Sequence, residues 1–272
     1  MSAADLHLHT RYSDGSYTPE ELVHAAVAQG LTTIALTDHD TFDGIAETME
    51  AGRRVSLEVI PGVEITSRVD TQEVHILGYF GPDRWGAPLL HAVLAHAKRL
   101  RENRITHFVE RFHELGIPLT VTEIEAFSTC GTIGRPHVAQ ALVKRGVVKT
   151  VEEAFNRFLK HGKPGYVDRP RMTVAEAIGH IDRAGGVAVL AHPGLNNVDD
   201  RLHEMKSQGL AGIEVWHPKH SPAKSERYLR LADELGLLAT GGSDCHGNVR
   251  GEAMIGSVKL SADRLEQLKK RL

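Results

Sequence analysis

The sequence predicts an α/β protein, a (β/α) barrel or a related distorted barrel with a helical insertion. Three observations carry this expectation. Short apolar, β-branched runs alternate with segments of helical periodicity, the pattern of strands joined by crossover helices. Histidines and carboxylates cluster at the ends of those runs, where the active face of a parallel α/β sheet or barrel lies. One connection, 81–186, carries no convincing strand and is far longer than a single crossover needs.

Composition fits this class. The 272 residues suffice for one large barrel, or a barrel with an insertion. Hydrophobic content of 41% and charged content of 25% are those of an ordinary globular chain. A net charge of −3 gives no general reason to expect a nucleic-acid or membrane surface. Histidine is the outlier: 17 residues, more than the 7 Phe, 5 Tyr and 2 Trp combined. Two cysteines, Cys130 and Cys245, make no disulfide framework and fit a reducing compartment. The N-terminus has neither a basic nor an apolar leader region, and no apolar run approaches a membrane span. The expectation is a cytoplasmic protein with no membrane role and no protein partner. No internal repeat or low-complexity segment is visible.

The elements follow in order. The first strand, Ala4–Leu8, carries His7, and His9 follows it. Residues two apart on a strand share a face, so both imidazoles are expected on one side and Leu6 and Leu8 on the other. Asp14 follows in a Ser-Asp-Gly turn; an Asx turn before a helix is the structural alternative. Thr18-Pro19-Glu20-Glu21 opens a helix with an N-cap, Pro at the first position and acidic first-turn residues, and Gly30 closes it. Thr33–Thr37 is the second strand and runs into Asp38-His39-Asp40. There His39 is expected to face the mouth, with Asp38 or Asp40 orienting a ligand histidine. Leu57–Glu64 ends on Glu64, and a carboxylate buried on a strand needs a partner or a metal. Val74–Phe80 carries His75, which alone reads as a satisfied core histidine.

The long connection reads as helices at about Leu89–Leu115, Val121–Phe127, His137–Lys144 and Val151–Leu159. We expect a barrel formed by 1–99 and 169–272, with 100–168 as a helical insertion acting as a substrate lid. A further helix, Thr173–Ala184, precedes the strand Val187–Ala191, after which His192-Pro193 follows. Gly212–Val215 and Leu238–Gly242 complete seven strands, the last leading to Ser243-Asp244-Cys245-His246. Asp244 and His246, again two apart, are expected on one side with Cys245 facing away. Individually several of these residues have structural explanations. Jointly they describe a polynuclear metal site, and such a site performs hydrolysis.

These residues also carry a resemblance. Asp5–Thr10, Thr37-Asp38-His39-Asp40, Gly62-Val63-Glu64, His192-Pro193 and Ser243-Asp244-Cys245-His246 resemble the motifs of the PHP (polymerase and histidinol phosphatase) family of metallohydrolases. The resemblance covers about 1–85 and 165–272. It implies a distorted (β/α)7 barrel, a trinuclear site and phosphoester hydrolysis. Carried over residue by residue, it implies one metal on His7, His9, Glu64 and Asp244. A second would share Glu64 and add His75 and His192, and a third would take Asp14, His39 and His246. Two to three divalent ions are expected, manganese first, with iron or zinc as alternatives, since His and carboxylate sites accept all three. The Ser13–Leu22 segment and Gly134-Arg135-Pro136-His137 are similar to the branch holding 3′,5′-nucleotide bisphosphate phosphatases and RNase AM-type 5′→3′ exoribonucleases.

A metal site needs no Ser or Cys nucleophile, and no G-x-S-x-G or P-loop is present. His217, at the end of the Gly212–Trp216 run, is the candidate acid for the leaving group; a surface histidine before Pro218 is the alternative. Arg135 and His137 flank Pro136 at a helix start, where anions are favoured and Arg adds a bidentate fork for phosphate. Lys98, Arg101 and Arg104, with Arg99 and Arg111 nearby, are best read as a solvated helix face, although they could meet a nucleotide. Lys160–Tyr166 returns the chain to the barrel, with a Tyr and lysines able to touch a base or phosphate. The expected function is removal of the 3′-phosphate from a nucleoside 3′,5′-bisphosphate. The alternatives are a 5′→3′ exoribonuclease on short RNA and a non-catalytic metal-binding regulatory module.

Overall fold

The computed structural model describes residues 3–70, 72–127, 134–167, 172–248 and 253–272. Cys130 and the side chains of Lys98 and Arg101, which entered the sequence reading, lie outside the described part. In chain order the elements are β1 (Ala3–Leu8), α1 (Pro19–Ala28), β2 (Thr33–Leu36), α2 (Ile45–Arg54), β3 (Glu58–Val69), β4 (Gln72–Tyr79), α3 (Pro88–Glu114), α4 (Val121–Glu125), α5 (Arg135–Lys144) and α6 (Val151–Ala154). There follow β5 (Met172–Thr173), α7 (Val174–Arg183), β6 (Val187–Leu190), α8 (Leu202–Ser207), β7 (Gly212–Trp216), α9 (Pro222–Leu235), β8 (Leu238–Gly241), β9 (Leu260–Ser261) and α10 (Ala262–Lys269). The chain divides into two compact units, Met1–Leu94 with Arg171–Leu272, and Ala95–Pro170.

The first unit is a distorted (β/α) barrel. Its strands run β8-β7-β6-β4-β3-β2-β1-β9, with β5 beside β3. A parallel bridge between Leu8 and Cys245 joins the far edge back to β1. Pairs β1–β2, β2–β3, β6–β7 and β7–β8 are parallel, as crossover connections require. The distortion centres on β4, antiparallel to both β3 and β6. Its cause is local. Strand β3 continues beyond Glu64 to Val69, and Val69 pairs with Gln72. A connection that short makes a hairpin and cannot make a crossover; Asp70 turns it at φ 52°. The apolar pattern of the sequence ends this strand at Glu64. It also misses β5, two residues paired with Ser67 and Arg68, too short to leave a pattern.

Two apolar clusters hold the barrel. Leu6, Ala35, Ile60, Leu77, Tyr79, Val189 and Leu238 meet Leu265 and Leu268 of α10. Side chains from strands all around the sheet meet only in its interior, so α10 plugs one end. Between sheet and helices, Leu22, Val23, Leu36, Val63, Ile178, Ile181 and Ile213 form the larger cluster. Leu6 belongs to the first cluster and Leu8 to the second, contrary to the expected common face. The pairing of β1 with β2 shifts register between Asp5 and Leu8, which breaks the alternation. Helix α1 starts as its sequence dictates: Thr18 and Glu21 form a capping box around Pro19.

The second unit packs Phe108, Phe112, Ile124, Val138, Leu142 and Leu159 into a core of its own. Arg104 is buried there, donating to the Val167 carbonyl at 3.0 Å with its guanidinium over the Phe108 ring. The expectation of a solvated face is wrong at this position, because the Arg stem packs while its head finds a carbonyl. Among the described residues no helix is long and apolar enough to cross a membrane.

Candidate active site

Glu64, wholly buried on β3, is the hub. Its Oε1 lies 2.7 Å from His75 Nδ1 on β4 and 3.1 Å from His192 Nε2 after β6. Its Oε2 lies 3.2 Å from His7 Nε2, 3.3 Å from His9 Nε2 and 3.0 Å from His39 Nδ1. Asp244 Oδ1 stands 3.6 Å from His7 Nε2 and 3.2 Å from His9 Nε2. Asp14 Oδ1 stands 3.1 Å from His246 Nε2 and 3.8 Å from His39 Nε2. All nine candidate ligands therefore meet in one cluster; Glu64 and His75 are delivered from within β3 and β4, and the other seven from the ends of strands or the loops beyond them.

The neighbourhood is held under backbone strain. Asp40, His192 and Asp244 have φ of 53°, 29° and 50°, in the left-handed region that residues with a Cβ rarely occupy. Asp5 bridges chain segments: its carboxylate accepts the amides of Ser243 and Gly256, at 2.8 and 2.9 Å. Burial pushes the Asp5 carboxyl up to about 6, against those hydrogen bonds.

Charge in the cluster is concentrated and opposed. Burial disfavours a charged His9, but Asp244 and Glu64 carry it up to about 9. Burial likewise opposes charge on His75, and Glu64 and Glu73 raise it to about 9. For His39 burial prevails over Glu64 and Asp14 and lowers it to about 3. Burial also works against the Glu64 carboxylate, yet the surrounding histidines, His39 and His75 foremost, hold it well below its ordinary value.

The contact directions show what this arrangement fits. His7 Nε2, both nitrogens of His9, His39 Nδ1, Glu64 Oε2, His192 Nδ1 and His246 Nε2 are buried without a hydrogen-bond partner. Several of these atoms nevertheless approach one another within about 3.3 Å. They converge without pointing at each other, as ligands around a shared cation do, and an orphaned buried polar atom is otherwise costly. Three groupings could each hold an ion: His7, His9, Glu64 and Asp244; His9, Asp14, His39 and His246; and His39, Glu64 and His75. The first is the set the family resemblance implies. The others differ from the implied sets: His9 joins Asp14, His39 and His246, and His39 takes the place of His192 beside Glu64 and His75, so that His192 belongs to no grouping among the described residues.

His217 is buried, with Nε2 3.4 Å from Asp244 Oδ2; it is not the surface histidine of the alternative reading. Lys219 donates its amide to His217 Nδ1. Arg135 and His137 open α5 in the second unit as predicted, with Gly134 at the N-cap. His137 Nδ1 accepts the Gly134 amide at 3.0 Å, so the ring also caps its helix.

The sequence misplaced the orienting carboxylate. Asp38 accepts from the amide and hydroxyl of Thr10 and the hydroxyl of Ser13, tying down the loop after β1. Asp40 Oδ1 accepts the amide of Thr66. The carboxylates outside the nine that meet a candidate ligand histidine are Glu214 of β7, with Oε1 2.9 Å from His7 Nδ1, and Glu73, with Oε1 3.3 Å from His75 Nε2. The one visible signal of Glu214 was an acidic residue inside an otherwise apolar strand.

Comparison with known proteins agrees with this geometry. A family model for the PHP domain matches residues 5–165, more than half of the chain. The chain belongs to the PHP family. A 3′,5′-nucleoside bisphosphate phosphatase of Chromobacterium violaceum is 36% identical over 269 residues, covering 94% of this chain and 91% of that protein. The 5′-3′ exoribonuclease Rnm of Escherichia coli is 37% identical over 250 residues, covering 89% and 84%. A provisionally assigned metal-dependent phosphoesterase of Bifidobacterium adolescentis superposes with a TM-score of 0.79 at 34% identity, covering 98% of this chain and 96% of that one. This PHP protein is accordingly a hydrolase, a metal-dependent phosphoesterase at the level its relatives share.

Proposed function

We propose that the chain removes the 3′-phosphate from nucleoside 3′,5′-bisphosphates, converting adenosine 3′,5′-bisphosphate to AMP and phosphate. The nine clustered residues would hold two to three divalent ions, manganese foremost. The observation that carries this reading is Glu64, whose two oxygens each meet imidazoles from different strands. Divalent ions held there supply Lewis acidity, neutralising phosphoryl charge and making water a stronger acid. The chain's own residues do the rest. His217 accepts the Lys219 amide at Nδ1, so the proton of the neutral ring sits on Nε2, the atom facing Asp244. From there the N–H is proposed to hydrogen-bond the departing oxygen, which takes its proton from solvent, so the ring stays neutral. Arg135, with its guanidinium fork at the start of α5, is the proposed anchor of the unreacted phosphate, with His137 beside it.

Two things support the small substrate: a relative named for bisphosphate nucleosides covers 94% of the chain, and the net charge is −3, whereas proteins of long nucleic acids are commonly basic. The second reading, a 5′→3′ exoribonuclease on short RNA, draws on the similar identity to Rnm. The experiment compares kcat/KM for adenosine 3′,5′-bisphosphate, adenosine 3′-monophosphate, adenosine 5′-monophosphate and a five-nucleotide RNA, with Mn²⁺ present. The bisphosphate should lead. A tenfold or greater preference for RNA replaces this reading with the exoribonuclease.

A further inference from the structure

We propose that Glu214 is a positioning residue that fixes two ligand histidines from different strands at once, setting the ring tautomer of His7 and the backbone pose of His192. The proposal rests on the metal-centre reading above. Glu214 lies on β7 with its side chain wholly buried, between Ile213 and Val215 of the core. Oε1 meets His7 Nδ1 at 2.9 Å, and Oε2 accepts the His192 amide at 2.7 Å. Two donors on two oxygens is the pattern of a fully used carboxylate.

The consequence for His7 follows from tautomer chemistry. A neutral imidazole carries one proton. Held on Nδ1 by the carboxylate, that proton leaves the Nε2 lone pair free. Nε2 is the atom that faces Glu64 Oε2 and Asp244 Oδ1, at 3.2 and 3.6 Å, and it has no hydrogen-bond partner. The other tautomer would set two lone pairs against each other at Nδ1 and block Nε2 with a proton. His246 shows the same device with a different partner: its Nδ1 lies 2.8 Å from the Asp244 carbonyl, while Nε2 faces Asp14.

For His192 the requirement is conformational. Its φ of 29° and ψ of 55° lie where a side chain crowds the backbone, so the pose needs an external hold. The Glu214 hydrogen bond to its amide supplies one. A backbone carbonyl could have served His7; the carboxylate's second oxygen lets Glu214 serve His192 as well.

The test is Glu214→Gln, nearly isosteric. Glutamine offers one acceptor and one amino group. Either the His192 amide loses its acceptor, or His7 meets an N–H donor and must move its own proton to Nε2. Calorimetric titration with Mn²⁺ should show affinity reduced about 10–100-fold, the scale for orienting partners of metal ligands. The melting temperature of the metal-free variant separates this from a general packing defect: loss of affinity with a near-native metal-free melt is the positioning signature. A second measurement needs no variant. Histidine ¹⁵N NMR of the zinc-loaded wild type should show His7 protonated at Nδ1 and ligated through Nε2. A wild type that takes up no divalent ion marks failure of the metal-centre reading itself. A wild type that binds metal, beside a glutamine variant of equal affinity or a His7 without a proton on Nδ1, overturns the role assigned to Glu214.

Discussion

Glu64 meets five imidazoles with two oxygens, so Glu64→Gln should strip metal from the centre. We expect metal content to fall below the wild-type value by elemental analysis and kcat/KM to fall on the order of 1,000-fold, equivalent to about 4 kcal/mol. Wild-type metal content in that variant would contradict the hub. His217 predicts a different signature if, as proposed, its Nε2–H supports the leaving group. His217→Gln should lower kcat on nucleotides by about 10²–10⁴ and leave metal content unchanged. A substrate with an acidic leaving group, such as 4-nitrophenyl phosphate, needs little protonation and should lose far less. Equal losses on both substrates would remove His217 from the leaving group's support. At this scale the site was legible wherever its residue types are rare on strands: His7, His9, His39, Glu64, His192, Asp244 and His246 are polar groups at the ends of apolar runs, whereas His75, near the start of its run, reads alone as a core histidine and entered only through the family resemblance. Glu214 was not legible, since its role depends on β7 lying near both His7 and His192, a fact of packing and not of spacing.

Among the elements, β1 and the residue just after β8 approach closely beside the cluster. A Cβ added to Gly242 would run into the backbone nitrogen and Cβ of His7. Gly242→Ala should therefore move the ligand-bearing strand, lowering stability by about 1–3 kcal/mol and weakening metal uptake together; chemical denaturation and elemental analysis read both. Helix α5 carries the other expectation. Arg135→Ala should cost about 1.5–3 kcal/mol in kcat/KM, the scale of a charged hydrogen bond, with metal content intact. An unchanged kcat/KM on every active substrate would exclude it as a phosphate ligand. The elements themselves were readable because caps and periodicity are local: the Thr18 capping box and the Gly30 stop bracket α1. What escaped was pairing. The reach of β3 to Val69 and the reversal of β4 rest on a tight hairpin at Asp70 that carries no Gly or Pro signal, and the two-residue β5 depends on Ser67 and Arg68, which no local window contains.

At the level of the whole molecule, the centre gathers carboxylates whose charge a bound cation would offset and imidazoles whose protons it would displace. Chelation should lower the melting temperature, since an ion bound only by the folded state stabilises it by about 4 kcal/mol at a thousand times its Kd. The metal-free protein should then show a pH dependence the loaded protein lacks. His9 and His75 are raised to about 9 in the metal-free fold, above the ordinary histidine value of about 6.5. Their contribution is complete below about pH 6.5 and is lost as pH climbs through about 9. Melts in chelator should fall across that window, while melts with Mn²⁺ should not fall in parallel. Identical slopes would contradict the assignment of these protons.

The seam of the barrel has a further consequence. Asp5 accepts the amide of Ser243, 238 positions later, and Leu8 bridges to Cys245. His7 and His9, early to leave the ribosome, thus wait for the last candidate ligands, Asp244 and His246. Contacts so distant along a chain form late in folding. Nascent chains would expose partial ligand sets but no finished centre, which places metal capture after synthesis and makes full occupancy a marker that the polypeptide has closed on itself.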